Sequence, residues 1–245
     1  MNLLTDIRTK SDNNQKQIAV LLDPDDLTPE KTRYVVALSE KAGVDYFFIG
    51  GSLITKTNFE MIASTIKEST NIPLLIFPGS VFQITNHADA ILFLSLISGR
   101  NPEYLIGQHV QAAPRLNKSG IEVIPTSYML VDSGKLTTAL YISNTSPLPA
   151  DKPDIASSTA LAGEMLGQKL LYLDAGSGAQ TPVPENIIRA VKDNTHSPLI
   201  VGGGLRSTQQ IQETCRAGAD IVVVGNHFEE APEAISSFAE TVHRF

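Results

Sequence analysis

The chain of 245 residues contains no tryptophan and only one cysteine. A single cysteine cannot form a disulfide within the chain, which excludes a disulfide framework. Cys215 falls in the apolar helical stretch QIQETCRAGAD, where we expect it to be a small buried hydrophobic residue. The five histidines are scattered without close pairs, and this spacing does not favour a zinc site.

Positive charge is also scarce, since 19 lysines and arginines face 26 aspartates and glutamates, for a formal net charge of −7. Nucleic-acid binding needs a cationic surface, so we expect no nucleic-acid partner, and any phosphate must be bound by local groups. No stretch reaches the roughly 18 apolar residues of a membrane span, and the N-terminal segment lacks an apolar signal region. We therefore expect a cytoplasmic protein.

Short apolar runs alternate with amphipathic segments along the whole chain, and 42% of the residues are hydrophobic. This pattern is typical of parallel strands that are buried on both faces and joined by helices. The length matches the roughly 250 residues of one α/β barrel, so we predict a single (β/α)8 TIM barrel, with residues 1–245 as one domain. The predicted strands are Ile18–Leu22, Val44–Ile49, Leu74–Phe77, Ala90–Leu94, Glu122–Ile124, Leu170–Leu173, Leu199–Val201 and Ile221–Val224.

A quasi-repeat supports the barrel. KAGVDYFFIGGS (residues 41–52) and RAGADIVVVGNH (residues 216–227) share a cation, Ala-Gly, an aspartate, four apolar residues and a glycine, and HADAILFL is a weaker third copy. The alternative is that Ala-Gly only forms the tight connection from helix to strand and that the aspartate opens the strand. The glycines after the strands lie where barrel ligands bind.

The segment from Pro125 to Asp154 is too long for an ordinary connection between a strand and a helix. Loops of more than about 12 to 15 residues in a compact domain are often lids or binding segments. We therefore predict a partly ordered excursion over the mouth of the barrel.

Three glycine-rich turns follow one another near the C-terminus: Ala175–Ala179, Gly202–Ser207 and Gly225–Phe228. Glycine allows backbone N–H groups to approach a phosphate closely. The second and third turns end strands seven and eight, where phosphate sites recur in TIM barrels. We predict a phosphate site, against the alternative that the glycines only relieve tight turns.

Two further groups are candidates for chemistry. Asp23 ends the first strand in LLDPDD and Ser52 follows the second in IGGS, and such a pair can hold Mg²⁺. The alternative is that residues 23–26 form a turn and that Asp26 or Thr28 caps the next helix. Asp174 ends the strand YLD beside the phosphate turns, where a carboxylate can accept a proton from a ligand hydroxyl or can bind N–H groups of its own loop.

The motifs LLDPD, FIGGS, FPGS, LFLSLISGRNPEYLIG, IPTSYMLVD, YLDAGSGA, VGGGLRS and GADIVVVGN, in this order, resemble the geranylgeranylglyceryl phosphate synthase family, also called the PcrB-like prenyltransferases. The resemblance runs from Leu21 to Phe228. It implies that Asp23 and Ser52 bind Mg²⁺. It also implies an sn-glycerol 1-phosphate site formed by Tyr172, Leu173, Asp174, Ala175, Gly176, Ser177, Gly178, Gly203, Gly204, Gly225 and Asn226. The family usually has glutamate at the position of Asp174.

The resemblance implies a prenyltransferase that joins the C3 hydroxyl of sn-glycerol 1-phosphate to a polyprenyl diphosphate, with Asp174 as the proton acceptor. Geranylgeranyl diphosphate is the expected donor, and heptaprenyl diphosphate is the alternative. A homo-oligomer, dimer or hexamer, that works close to a membrane is expected as well. The residues 92–97 and 128–131 are candidates for the prenyl groove or for plain core.

Two other functions remain open at this stage. A phosphosugar isomerase or aldolase-like barrel would use the same phosphate turns, but it calls for a catalytic lysine or an acid–base pair, and no lysine stands at the end of a predicted strand. A non-catalytic phospholigand-binding subunit would have no use for Asp23, Ser52 and Asp174 together.

Overall fold

The computed structural model describes residues 2–245, without the side chains of Glu229 and Glu230. Eight parallel strands pair in chain order into a closed barrel, which confirms the predicted TIM barrel. The strands are β1 Gln17–Leu22, β2 Tyr46–Ile49, β3 Leu74–Ile76, β4 Ala90–Leu96, β5 Glu122–Leu130, β6 Leu170–Asp174, β7 Leu199–Gly202 and β8 Ile221–Val224.

Helices cover the outside of the barrel and lie at both of its ends. They are α1 Leu3–Asp12, α2 Pro29–Ala42, α3 Phe59–Ser69, α4 Gln108–Ser119, α5 Thr138–Ser143, α6 Pro153–Met165, α7 Glu185–Asn194, α8 Thr208–Ala217, α9 Asn226–Glu230 and α10 Ala234–Val242. A 3₁₀ turn spans Pro24–Asp26, and a π-helical turn, Glu103–Gly107, precedes α4. Thr28 and Ser207 cap α2 and α8 with their side chains.

The alternation of side chains along each strand sorts the core into two layers. Tyr46, Phe48 and Tyr172 belong to the cluster inside the barrel. Phe47 and Leu173 belong to the larger cluster between the barrel and the helices, which also contains Cys215, buried as predicted. In β6 this alternation directs Tyr172 inward and Leu173 outward, so it also decides which side chains of that strand can reach the mouth.

The quasi-repeat has a structural explanation at the lower end of the barrel. The carboxylate of each repeated aspartate accepts the N–H of a residue on the preceding strand in the barrel: Asp45 from Ile18, Asp89 from Leu74 and Asp220 from Leu199. Each aspartate also pairs with at least one lysine. Gly43 and Gly218 end their helices in the left-handed conformation. The structural interpretation of the Ala-Gly-x-Asp pattern is therefore confirmed.

The excursion between Pro125 and Asp154 is shorter than predicted, because β5 continues through Pro125 to Leu130. The proline does not end the strand, since its carbonyl still accepts a hydrogen bond from the N–H of Lys169. The rest of the segment contains α5, and Ala139 in this helix lines the mouth of the barrel, as predicted for a covering segment. Within the described residues, no helix is both long and apolar enough to cross a membrane.

Candidate active site

A cavity of about 1090 Å³, part of it open to solvent, lies at the C-terminal ends of the strands. This is the end of a TIM barrel that carries active sites. The structure brings most of the predicted site residues together around this cavity. Its lining includes Asp23, Ser52, Tyr172, Asp174, Ser177, Gly178, Gly203, Gly204, Gly225 and Asn226.

Leu173, Ala175 and Gly176 do not line the cavity, although the resemblance included them. Leu173 and Ala175 belong to the core outside the barrel, because strand alternation turns both side chains away from the mouth. The N–H of Gly176 donates to Asp174 Oδ1 at 2.7 Å. These three residues therefore hold the turn in place through core packing and a backbone hydrogen bond, and their side chains do not face the cavity.

The three glycine-rich turns pack against one another. Gly203 has a φ of +85°, and a Cβ placed there would lie 2.8 Å from the backbone nitrogen of Ala175. The Ser177 hydroxyl lies 3.0 Å from Asn226 Oδ1 and so links the turn after β6 to the turn after β8. Such close packing of N–H-bearing turns suits an anion.

Sequence reasoning assigned no role to Arg206, although it stands inside the predicted turn GGGLRS. Its guanidinium donates to the carbonyl oxygen of Ala179 at 3.0 Å, and the residue lines the cavity. A cation beside glycine turns attracts phosphate. Such a local cation matters here because the chain as a whole is negatively charged. This residue could have been found from its position in the turn.

Asp174 is 6% exposed, and both of its carboxylate oxygens accept hydrogen bonds. Oδ1 accepts from the N–H of Gly176 at 2.7 Å, and Oδ2 accepts from the hydroxyl of Tyr128 at 2.6 Å. Burial raises the pKa of Asp174, while the hydrogen bonds from Tyr128 and Gly176 act in the opposite direction. A buried carboxylate of raised pKa is a better proton acceptor than an exposed one.

Tyr128 was predicted only as a candidate for the prenyl groove or the core, with no role beside Asp174. It lies on β5 directly beside Tyr172 of β6, and its ring also contacts Phe77 edge to face, with centroids 5.5 Å apart. Burial, followed by the charge of Asp174, raises the pKa of Tyr128 well above its usual range, so the phenol is neutral. A longer predicted β5 would have shown that Tyr128 and Asp174 share the inner face of neighbouring strands.

Asp23 forms the turn that the sequence predicts, and it uses only one carboxylate oxygen to do so: Oδ1 accepts the N–H of Asp25 at 3.0 Å. A Cβ placed on Gly51, next to Ser52, would lie 2.7 Å from the other oxygen, Oδ2. The carboxylate thus lies against the turn that carries the serine. Asp25 instead anchors that turn, because it accepts hydrogen bonds from the N–H and hydroxyl of Thr55.

The surroundings of Asp23 fit a magnesium ion. Burial raises its pKa, the hydrogen bond from the amide of Asp25 opposes this, and the charges of Asp26 and Asp25 raise it further, so a bound cation would stabilise the ionised carboxylate. Among the described residues, no set of three or more His, Cys, Asp or Glu residues could form a complete metal cage. Mg²⁺ usually binds one or two protein oxygens together with water and substrate phosphate, which matches this sparse donor set.

The turns after β2 and β3 are held together by Gln83, another residue that sequence reasoning missed. Its side-chain oxygen accepts the N–H groups of Gly51 and Gly79, and its amide nitrogen donates to the carbonyl of Gly51 at 2.8 Å. Side chains on either glycine would overlap their neighbours. Gly79 of the motif FPGS therefore helps to position the turn that carries Ser52. The two residues are almost thirty positions apart in the chain, so no local sequence pattern reveals this contact.

A second cavity of about 840 Å³ adjoins the first and is lined mainly by apolar side chains. It runs between β4 and α4, past Phe93, Leu94, Leu96 and Ala112, and under α5. Of the two predicted groove segments, Phe93, Leu94, Leu96, Tyr128 and Leu130 line this cavity. The other residues of those segments do not, because they alternate with lining residues or lie beyond the groove.

The closed barrel, the glycine turns after β6, β7 and β8 and the adjoining apolar cavity define a TIM-barrel protein suited to hold a phosphorylated ligand beside an apolar one. The sequence model of the PcrB family matches residues 11–242, and the chain belongs to this family. The resemblance stated from the motifs is confirmed.

Curated relatives and solved structures agree with this membership. The chain is 50% identical to the geranylgeranylglyceryl phosphate synthase of Chitinophaga pinensis over 228 residues, which is 93% of this chain and 90% of the relative. It is 49% identical to the synthase of Spirosoma linguale over 99% of this chain and 97% of the relative. The crystal structure of (S)-3-O-geranylgeranylglyceryl phosphate synthase from Thermoplasma acidophilum, in complex with its substrate sn-glycerol-1-phosphate, matches with a TM-score of 0.94 and 34% identity over 100% of both chains.

Proposed function

We propose that the chain is a geranylgeranylglyceryl phosphate synthase, which transfers a geranylgeranyl group to the C3 hydroxyl of sn-glycerol 1-phosphate and releases diphosphate. The observation that carries the proposal is the junction of two cavities. The mouth cavity offers glycine turns and a buried carboxylate, and the adjoining cavity offers an apolar groove. The names of relatives at 49% to 50% identity support the same reaction.

In this reaction the residues of the chain bind and orient two substrates. The turns around Gly178, Gly203 and Gly225 hold the phosphate of sn-glycerol 1-phosphate, with Arg206 beside them. The C3 oxygen forms a bond to C1 of the prenyl chain, the bond from C1 to diphosphate breaks, and its electron pair leaves with the diphosphate. The proton of the C3 hydroxyl ends on Asp174, whose raised pKa favours its acceptance.

Asp23 and Ser52 would hold Mg²⁺ at the junction. When bound, the ion neutralises charge on the diphosphate leaving group. Fixing both reactants in one geometry contributes further to the rate, because it replaces a bimolecular encounter.

We also propose that the protein forms a homo-oligomer. Ile106 and Val110, on the π-helical turn and on α4, are 60% and 65% exposed, although both are apolar. Light scattering after size exclusion tests this proposal, and a monomer at micromolar concentration would contradict it. The cytoplasmic location and the proximity to a membrane stay predictions.

The function is tested with radiolabelled sn-glycerol 1-phosphate, Mg²⁺ and polyprenyl diphosphates of different lengths. We expect label to enter an organic-extractable product, most efficiently with the geranylgeranyl donor. A preference for the heptaprenyl donor would assign the longer substrate. No transfer with any donor would reject the prenyltransferase and would favour the isomerase or aldolase-like alternative, which does not explain the apolar groove.

A further inference from the structure

The two cavities share a small set of lining residues: Gly51, Ser52, Phe77, Tyr128 and Ala139. Asp174 is not among them, since it lines the mouth cavity alone. The attacking hydroxyl belongs to the phosphorylated substrate and the attacked carbon belongs to the apolar one. The two atoms must therefore meet where the cavities join, and Tyr128 reaches this junction while the carboxylate does not.

The carboxylate of Asp174 is also occupied from two sides. The Gly176 amide holds Oδ1 and the Tyr128 hydroxyl holds Oδ2, in hydrogen bonds of 2.7 Å and 2.6 Å. Because Tyr128 lines both cavities and Asp174 lines only one, a substrate hydroxyl at the junction meets the phenol oxygen before it meets Oδ2. The phenol oxygen itself can accept a further hydrogen bond, because a tyrosine hydroxyl is both donor and acceptor.

We propose that Tyr128 is a proton relay between the C3 hydroxyl of the phosphorylated substrate and Asp174. This proposal rests on the proposed function. As the C3 oxygen bonds to C1 of the prenyl chain and diphosphate leaves, its proton passes to the oxygen of Tyr128. The proton of Tyr128 passes at the same time to Oδ2 of Asp174. Tyr128 begins and ends the step as a neutral phenol, and the acid alone gains a proton.

The packing around the ring supports this role. Phe77 and Tyr172 both contact the ring of Tyr128 edge to face, at interplanar angles of 80° and 84° and centroid distances of 5.5 Å. Contacts on two sides restrict rotation of the ring. The hydroxyl is therefore held in line with the carboxylate before substrate arrives, which is what a transfer over a short distance requires.

Tyr128→Phe tests the relay, because it removes the hydroxyl and keeps the ring. We expect kcat to fall by about 10² to 10⁴-fold, as for loss of a positioned acid or base, with a small change in KM. The double variant Tyr128→Phe/Asp174→Asn should be little slower than either single variant, because the two residues act as a unit.

A rescue variant separates the relay from a structural role. In Tyr128→Phe/Asp174→Glu the longer acid can extend into the space left by the hydroxyl and accept the proton directly. We expect this variant to regain at least roughly tenfold in kcat over Tyr128→Phe. In the wild-type protein, the dependence of rate on the deuterium content of the solvent should indicate two protons in transfer, and in the rescue variant one.

Tyr46→Phe is the matched control. Tyr46 is also a buried tyrosine inside the barrel, but it lies at the lower end, where its hydroxyl is 2.6 Å from Gln17 Oε1 and 3.2 Å from Asp6 Oδ2. We expect it to lose stability and to keep its kcat. A near-normal kcat in Tyr128→Phe would overturn the relay, and so would a slow Tyr128→Phe that the longer acid fails to rescue. Failure of the wild-type protein to form product would instead reject the proposed function.

Discussion

Replacing Gly203 with alanine would place a methyl group in the contact between the turns after β7 and β6. The new Cβ would lie 2.6 Å from Asp174 Oδ1, 2.7 Å from the Gly176 nitrogen and 2.8 Å from the Ala175 nitrogen. Two of these three atoms belong to backbone, which cannot move away as the end of a flexible side chain could. The substitution therefore displaces the turn that follows β6 and begins at Asp174.

The magnitude follows from two contributions. Alanine at a φ of +85° costs about 1 to 2 kcal/mol, because the left-handed conformation is unfavourable for residues with a Cβ. Forcing a methyl group into a packed region typically costs a further 1 to 3 kcal/mol or so. We therefore expect Gly203→Ala to lower the free energy of unfolding by about 2 to 5 kcal/mol.

Gly120→Ala is the matched control, because Gly120 has a φ of +75° and no atom would lie within 4 Å of its Cβ. It should lose only the conformational part, about 1 to 2 kcal/mol, or about 2 to 8 °C in Tm for a chain of this size. Calorimetry measures the Tm of both variants. Titration calorimetry with sn-glycerol 1-phosphate measures binding, where we expect a loss of at least about tenfold for Gly203→Ala alone.

Equal losses of Tm in the two variants would show that the turns adapt without steric cost. An unchanged affinity of Gly203→Ala for sn-glycerol 1-phosphate would show that the turn after β7 does not bind the phosphate. The first result would refute the steric argument, and the second would refute the assignment of the phosphate site.

Three further predictions concern charged groups. Asp174→Asn should lower kcat by about 10² to 10⁴-fold, and a near-normal rate in steady-state assays would show that the carboxylate only orders its own turn. Asp23→Asn should remove most turnover and the response to Mg²⁺ while glycerol phosphate still binds in calorimetry; full activity would reject the metal site. The hydrogen bond to Asp45 raises the pKa of His243, so this contact stabilises the fold fully below the unfolded pKa of about 6.5 and is lost as pH rises through the folded pKa. Denaturation of His243→Gln should therefore show a larger loss of stability at about pH 5.5 than at about pH 8.5, and an equal loss at both would contradict the assignment.

The fold was predictable because most strands are short apolar runs and because every strand except the first is followed by a turn that contains glycine. The strand ends were less so, since Pro125 suggested the end of β5 although a proline still supplies a carbonyl to the next strand. Asp23 and Asp174 could be found because both stand directly at the ends of apolar runs.

The partners of these residues could not be found in the same way. Tyr128 and Asp174 are 46 positions apart, and only the register of β5 against β6 brings them within 2.6 Å. Gln83 holds Gly51 through a contact across 32 positions. Such pairings depend on strand register in the closed barrel and on contacts between turns that are distant in the chain. No local pattern in a single sequence shows either of them.

A crystal structure with sn-glycerol 1-phosphate and an unreactive thio analogue of geranylgeranyl diphosphate would test the central claim most directly. We expect the phosphate within hydrogen-bond distance of the backbone at Gly178, Gly203 and Gly225, and the prenyl chain in the apolar cavity beside α4. We also expect the C3 hydroxyl against the oxygen of Tyr128. A phosphate bound away from the glycine turns, or a prenyl chain outside that cavity, would contradict the claim.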